Sequence, residues 1–337
     1  MTGWIAWILT PVGAAIFVSL VFATVTSTMM LALYLRRLGD ERRSTETQAE
    51  DVVISRRLLA LLHGDGGTTI AELPDMRPGQ AERIFSHLML LVRGEDRGRL
   101  LDLADRMGLP DIAIASLGDS RPARRVDAMR SLEAFPVTRA AAALRQAMAS
   151  DQRYDVRLEA AGALARLRKL PPPSTIIVEL DLTHRPLNRV HEAIFRASAA
   201  DHAGEMIALS CNSALVKVRP LIVEALGWSG DYIALPALPR HANDTDPDVR
   251  SAALKAARRI ADPSVANWVL PMLLDPVDYV RVQAALTCGK LGLRDAIPVL
   301  ATLVQNPSWW VRTRAAEALA LLRPAQAAPI KLTGLRT

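Results

Sequence analysis

Residues able to carry chemistry are sparse in this sequence. It has two cysteines, Cys211 and Cys288, too few for a disulfide framework or a cysteine-based zinc site. Aromatic residues make up 4% of the chain while half of all residues are apolar, so Ala and Leu must build most of the interior. That usage favours close helix packing over sheets, which draw on β-branched and aromatic side chains. The six histidines, at 63, 87, 184, 191, 202 and 241, form neither a His-Glu-x-x-His pattern nor a Cys/His cluster. His241 with Asp244 and Asp246 comes nearest to a ligand set, but acids are expected there as helix caps, so no metal is expected. No glycine-rich loop leads into Lys and Ser/Thr. Gly227 and Gly230 read as helix stops, and Ser229 lacks the spacing of a nucleophile elbow. Cys288 stands where sister repeats place Leu or Ala, which makes it a core residue. Neither a cofactor nor a catalytic residue is expected.

Lysine is also scarce, with five against 36 arginines, a usage resembling the coding bias of a GC-rich bacterium. The formal charge of +6 and pI of about 9.7 come from arginines interleaved with acids, with no long basic run. Charge alone therefore decides between no classes of partner.

Charge is wholly absent from Trp4 to Tyr34. As a helix that stretch would run roughly 45 Å, enough for a hydrocarbon core and both interfaces. Trp4, Trp7 and Tyr34 lie near its ends, where amphipathic rings favour the headgroup level. A cleaved signal peptide fits less well: no basic residue precedes the run, the run is too long, and Arg36 and Arg37 follow it directly. Residues 1–36 therefore read as a single transmembrane anchor. Arg36, Arg37, Arg42 and Arg43 put the C-terminal bulk in the cytoplasm, making this a single-pass protein of the inner membrane. Residues 37–50 read as a juxtamembrane linker, able to meet anionic lipid. Residues 51–118 read as a helical capping region, with amphipathic stretches near 52–62, 80–92 and 97–106.

From residue 119 the chain repeats itself. Arginines stand at 125, 157, 189, 219, 250, 281 and 312, spaced by 32, 32, 30, 31, 31 and 31 residues. Six residues before them stand Asp119, Asp151, Thr183, Ser213, Asp244, Asp275 and Asn306. These residue types accept backbone hydrogen bonds and are expected to begin the second helix of each unit. Val, Ala and Leu at helical spacing then form a buried stripe, with glycine-containing stops behind it. One such hairpin cannot bury its apolar face alone, so the units must stack. The unit around Arg189 departs, with Glu192 and Arg196 where Ala and an apolar residue are expected.

Asp275-Pro276, Val-Arg six residues into the unit, Ala and Leu behind it, and a proline in the first helix together resemble HEAT repeats. The short period is similar to the bacterial HEAT-like form named after phycobilisome lyases. The likeness is strong over 212–323, good over 119–168, weak over 169–211 and absent before 110. It implies an all-α fold, an α-solenoid of about seven hairpins over 119–323, followed by a disordered tail over 324–337. It also implies an internal ladder of Asp and Arg joining successive turns, with Asp275–Arg281 and Asp244–Arg250 as structural ion pairs. The other ladder residues are Asp119, Arg125, Asp151, Arg157, Asn306 and Arg312.

Two residues before the ladder arginines stand Lys217, Asp248, Tyr279 and Trp310. Tyr279, Trp309, Trp310 and Arg314 are therefore the expected partner-binding residues, unless one Trp simply caps the last repeat. The expected function is a non-catalytic, membrane-anchored scaffold for a protein partner such as a membrane enzyme or transporter assembly, with no nucleic acid or small-molecule substrate. The alternative is a HEAT-fold enzyme or nucleic-acid binder, since bilin lyases and alkylpurine DNA glycosylases share such folds.

Overall fold

A computed structural model describes residues 22–31, 34, 50–60, 76, 79–135, 138–230 and 232–323. The chain divides into two compact units, Met1–Leu109 and Pro110–Thr337. In the first, residues 22–31 are helical and exposed throughout, Phe22, Val25, Met29, Met30 and Leu31 among them, and Tyr34 is exposed too. Trp4, Trp7, Arg36, Arg37, the linker up to residue 49 and the tail over 324–337 lie outside the described residues. Among the described residues no helix is long and apolar enough to cross a membrane. Residues 50–60 form a helix that buries Ile54 and Leu58 but leaves Val52 and Val53 exposed. The helix Gln80–Leu91 buries Ile84, Phe85, Leu88 and Met89, one stripe at helical spacing. Gln80 donates to Asp51 Oδ1 at 2.8 Å, tying these two helices together. Glu95–Arg106 follows, with Leu100, Leu103 and Ala104 inward.

The second unit is a succession of helical hairpins. Their second helices are Pro122–Ala134, Tyr154–Arg166, the part of Arg189–Ser210 before His202, Arg219–Leu226, Pro247–Ile260, Asp278–Leu291 and Trp309–Leu322. Each of the seven packs against the next. Small side chains at the contacts, such as Ala160, Ala252, Ala256, Ala284 and Ala315, are fully or almost fully buried and let the helices approach closely. From the fifth hairpin on, the first helices are short and led by 3-10 turns: Tyr232–Ala237 before Leu238–Ala242, Pro263–Val265 before Ala266–Val269, and Arg294–Ala296 before Ile297–Leu303. Prolines explain this, because Pro239 and Pro298 suit a first turn while Pro271 ends the helix before it.

Three expectations change. The second compact unit begins at residue 110, ahead of the expected start of the solenoid at 119, and Ala113 on the helix Leu109–Ser116 packs in the same core as Met129 and Leu132. The polar residues six before each arginine are not the helix caps. They stand two residues earlier, and their side chains accept the backbone N–H of the cap residue: Asp119 from Arg121 at 2.7 Å, Asp151 from Arg153 at 2.8 Å, Asp244 from Asp246, Asp275 from Val277 and Asn306 from Ser308, each at 2.9 Å. Such turns aim the chain into the helix before it starts. In the fourth hairpin Asn212 instead caps the 3-10 turn Ser213–Leu215 ahead of the second helix, accepting from Ala214 N at 2.9 Å. The third departure is the irregular unit. Arg189–Ser210 holds the second helix of the third hairpin and the first of the fourth, joined through non-helical backbone at His202.

Two buried histidines lie in this part. His191 Nδ1 accepts the backbone N–H of Asn188 at 2.9 Å in a capping box, so Nε2 carries the proton and donates to the Tyr154 hydroxyl at 2.6 Å. His241 Nε2 is 2.9 Å from Ser210 Oγ. Burial lowers the pKa of both imidazoles; for His241 the Arg240 and Arg219 charges add to it while Asp244 opposes it. With the folded values depressed, the unfolded chain binds protons first, so this contribution to stability is complete above about pH 6.5 and fades as pH falls below it. Tm is expected to be lower at pH 5.5 than at pH 7.5, and scanning calorimetry of His191→Gln/His241→Gln should show a smaller difference.

Candidate interaction surface

The ladder arginines sit in the first turns of the second helices and fix the spacing between hairpins. Arg125 donates Nε and Nη2 to Asp151 at 2.7 and 3.0 Å, and Arg250 does the same to Asp275 at 2.8 and 2.9 Å. Arg219 reaches Asp244 at 3.0 Å. These pairs join one hairpin to the next. Within a hairpin the arginine bonds backbone carbonyls, chiefly the one six residues back: Arg125 to Asp119 at 2.9 Å, Arg157 to Asp151 at 2.9 Å, Arg250 to Asp244 at 3.0 Å, Arg281 to Asp275 at 2.6 Å and Arg312 to Asn306 at 2.8 Å, and Arg281 also pairs with the Asp278 side chain. The expected pairs Asp275–Arg281 and Asp244–Arg250 are thus carbonyl contacts, because the side chain of each Asp turns toward the preceding arginine. Burial pushes the Asp275 carboxyl up, but Arg250, the Val277 N–H and the Arg281 charge outweigh it and hold the group below the usual carboxylate range.

Beside this ladder the same first turns carry the expected partner-binding residues. Trp309 and Trp310 are both more than half exposed and meet edge to face, with ring centroids 4.5 Å apart. Tyr279, one repeat earlier, donates its hydroxyl to Asp248 at 2.8 Å. Burial first, and the Asp248 bond second, push that hydroxyl up to about 12, so it stays a donor at neutral pH. Arg314, one turn beyond Trp310, pairs with Glu317 at 2.6 Å. A hydrogen bond holds Tyr279 on Asp248, while the two Trp rings meet each other.

Sequence reasoning missed Trp228. Its ring lies between Arg259 at 3.6 Å and Arg196 at 5.5 Å, and Arg196 also pairs with Glu224 at 2.9 Å. One signal was available, since both arginines lie about one repeat from Trp228 on either side. Cys288 is fully buried, and burial pushes its thiol up to about 12, which suits packing and not nucleophilic attack. Among the described residues no group of three His, Cys, Asp or Glu side chains could hold a metal ion. His241, Asp244 and Asp246 are instead tied to Ser210, Arg219 and local backbone.

No curated protein matches this sequence. Solved structures that it resembles include human deoxyhypusine hydroxylase in complex with glycerol, at 15% identity and a TM-score of 0.32, covering 83% of this chain and 98% of that one. A designed armadillo repeat protein in complex with the peptide (KR)4 matches at 16% identity and a TM-score of 0.34, covering 64% and 99%. The Escherichia coli protein YibA matches at 17% identity and 0.34, covering 68% and 98%. Residues 207–285 and 267–336 match the family model for HEAT repeats.

Proposed function

We infer that this chain is a membrane-tethered, non-catalytic scaffold whose HEAT-like surface holds a protein partner at Tyr279, Trp309, Trp310 and Arg314. Stacked helical repeats offer long surfaces of the kind that bind proteins. The observation that carries the reading is the exposed Trp309–Trp310 pair. Two large rings left in water on the first turn of a helix cost solvation and contribute little to the core. Buried under a partner, each would supply the kind of anchor that dominates interface energetics. Support for the tether comes from the uncharged stretch Trp4–Tyr34, whose described part is helical with its apolar side chains exposed. The four arginines over 36–43 favour a cytoplasmic repeat unit at the inner membrane, where a membrane enzyme or transporter assembly is the natural partner.

The test uses the full chain extracted in detergent. Wild type is expected to co-purify with a defined partner, and Trp309→Ala/Trp310→Ala should lower that recovery at least about tenfold at unchanged helicity, the loss of one or two hot-spot side chains. A chain lacking residues 1–36 should leave the membrane fraction. Equal recovery by wild type and the double variant would remove the aromatic surface from the reading.

A further inference from the structure

Not every rung of the ladder is closed by a carboxylate from the next hairpin. In the filled rungs, Nη1 holds the carbonyl six residues back while Nε and Nη2 grip a carboxylate 26 residues on for Arg125, or 25 for Arg250. The residue 26 positions after Arg157 is Thr183. Arg157 keeps its bond to the Asp151 carbonyl at 2.9 Å, yet its Nε is buried and has no partner among the described residues. The Nε of Arg185 is in the same condition, as are those of the ladder arginines Arg219 and Arg281. Both guanidinium groups lie against the Tyr154 ring, Arg185 at 4.1 Å from the centroid and Arg157 at 5.8 Å.

The acids nearby are already engaged. Asp151 belongs to Arg125, and Asp155 to Arg153 at 2.7 Å. Asp181 takes His184 at 2.6 Å and lies 3.7 Å from Arg185 Nε, beyond hydrogen-bond reach. Two guanidinium groups thus share one carboxylate, whose first partner is a histidine. Arg281 faces a neutral residue too, Asn306, but its Nη2 is held by Asp278, and Arg219 reaches Asp244, whereas no carboxylate hydrogen-bonds Arg157 among the described residues.

We propose that Arg157 and Arg185, against the Tyr154 ring, form a receptor for a carboxylate from outside the chain, the group that the sibling rungs supply internally. The guanidinium fork matches a carboxylate through two parallel N–H···O bonds, and the Tyr154 ring orients both cations. The carboxylate can be a small free acid or an acidic side chain of a partner. This site lies four hairpins from the aromatic surface and stands independently of it.

Thermal unfolding of the full chain in detergent tests it, with potassium acetate compared against potassium chloride at equal ionic strength. Acetate should raise the wild-type Tm by about 2 °C or more over chloride, the size of effect expected once the ligand exceeds its Kd several-fold. Thr183→Asp places a carboxylate at the position it has in the filled rungs, so it should raise Tm in chloride and abolish the acetate increment. Arg157→Gln should lack the increment as well. A triglutamate peptide separates the two sources. A half-maximal response at a carboxylate concentration ten times lower than acetate assigns the site to acidic side chains of a partner, and an equal response per carboxylate assigns it to small acids. Identical Tm in acetate and chloride, or an acetate increment that survives in Thr183→Asp, overturns the proposal.

Discussion

Asp275→Ala is expected to lower the first unfolding transition of the repeat unit by roughly 6–16 °C, a loss of about 3–4 kcal/mol. The side chains of Asp275 and Arg250 are only 7% and 12% exposed. Removing the carboxylate strands a guanidinium in a site that water barely reaches, and it also frees the Val277 N–H that Asp275 holds at 2.9 Å. Both penalties fall at one joint, between the helices Pro247–Ile260 and Asp278–Leu291. In a stack where each hairpin relies on its neighbours, the damage spreads outward from that joint. Hydrogen exchange should therefore quicken first in those two helices. Asp278→Ala is the matched control. Its carboxylate is 55% exposed, and losing its pairing with Arg281 should cost no more than about 1 kcal/mol. Equal losses in the two variants would show that the buried joint contributes nothing special.

Gly227→Val should rank beside it, with a loss of about 3 kcal/mol or more from overpacking. Gly227 has φ −64, ordinary for any residue, so backbone freedom is not why glycine stands there. The reason is contact. A Cβ at this position would come within 2.8 Å of Ala256 Cα and 3.1 Å of its carbonyl oxygen, so the helix Pro247–Ile260 would have to move away. Gly292 makes the contrast. It has φ 68 with nothing within 4 Å of an added Cβ, so Gly292→Ala should cost only the strain of left-handed backbone, about 1–2 kcal/mol. Chemical denaturation of both variants checks the order, and a Gly227→Val chain as stable as Gly292→Ala would refute the steric account.

Much of this architecture is legible in the sequence because the ladder ties residue identity to helix geometry. An arginine that must reach the next hairpin recurs at a nearly constant interval, and the apolar stripe keeps step with it. Pairing is a different matter. With a fixed period, Asp275 stands at a constant spacing from both Arg250 and Arg281, and periodicity cannot tell which one its side chain meets. The turn geometry decides: with Asp275 Oδ1 accepting from Val277, both carboxylate oxygens face Arg250 of the earlier hairpin. The irregular stretch over 169–211 was illegible for a related reason. There the polar residues serve a capping box and a tyrosine–histidine contact in place of the ladder, so the repeat pattern lapses while the fold continues. The aromatic surface was readable as exposed rows, whereas Trp228 was hidden because its partners come from two different hairpins.

Within Arg189–Ser210 two helices of neighbouring hairpins meet at one non-helical residue, His202, with no loop between them. Most other hairpins meet at a turn where a cut or graft would divide one module cleanly from the next. A seam at His202 would divide two complete hairpins, but no spare residue lies there to bridge a graft. A transplant or shortened version of this protein that cuts between the third and fourth hairpins therefore needs an added connection, or has to carry both.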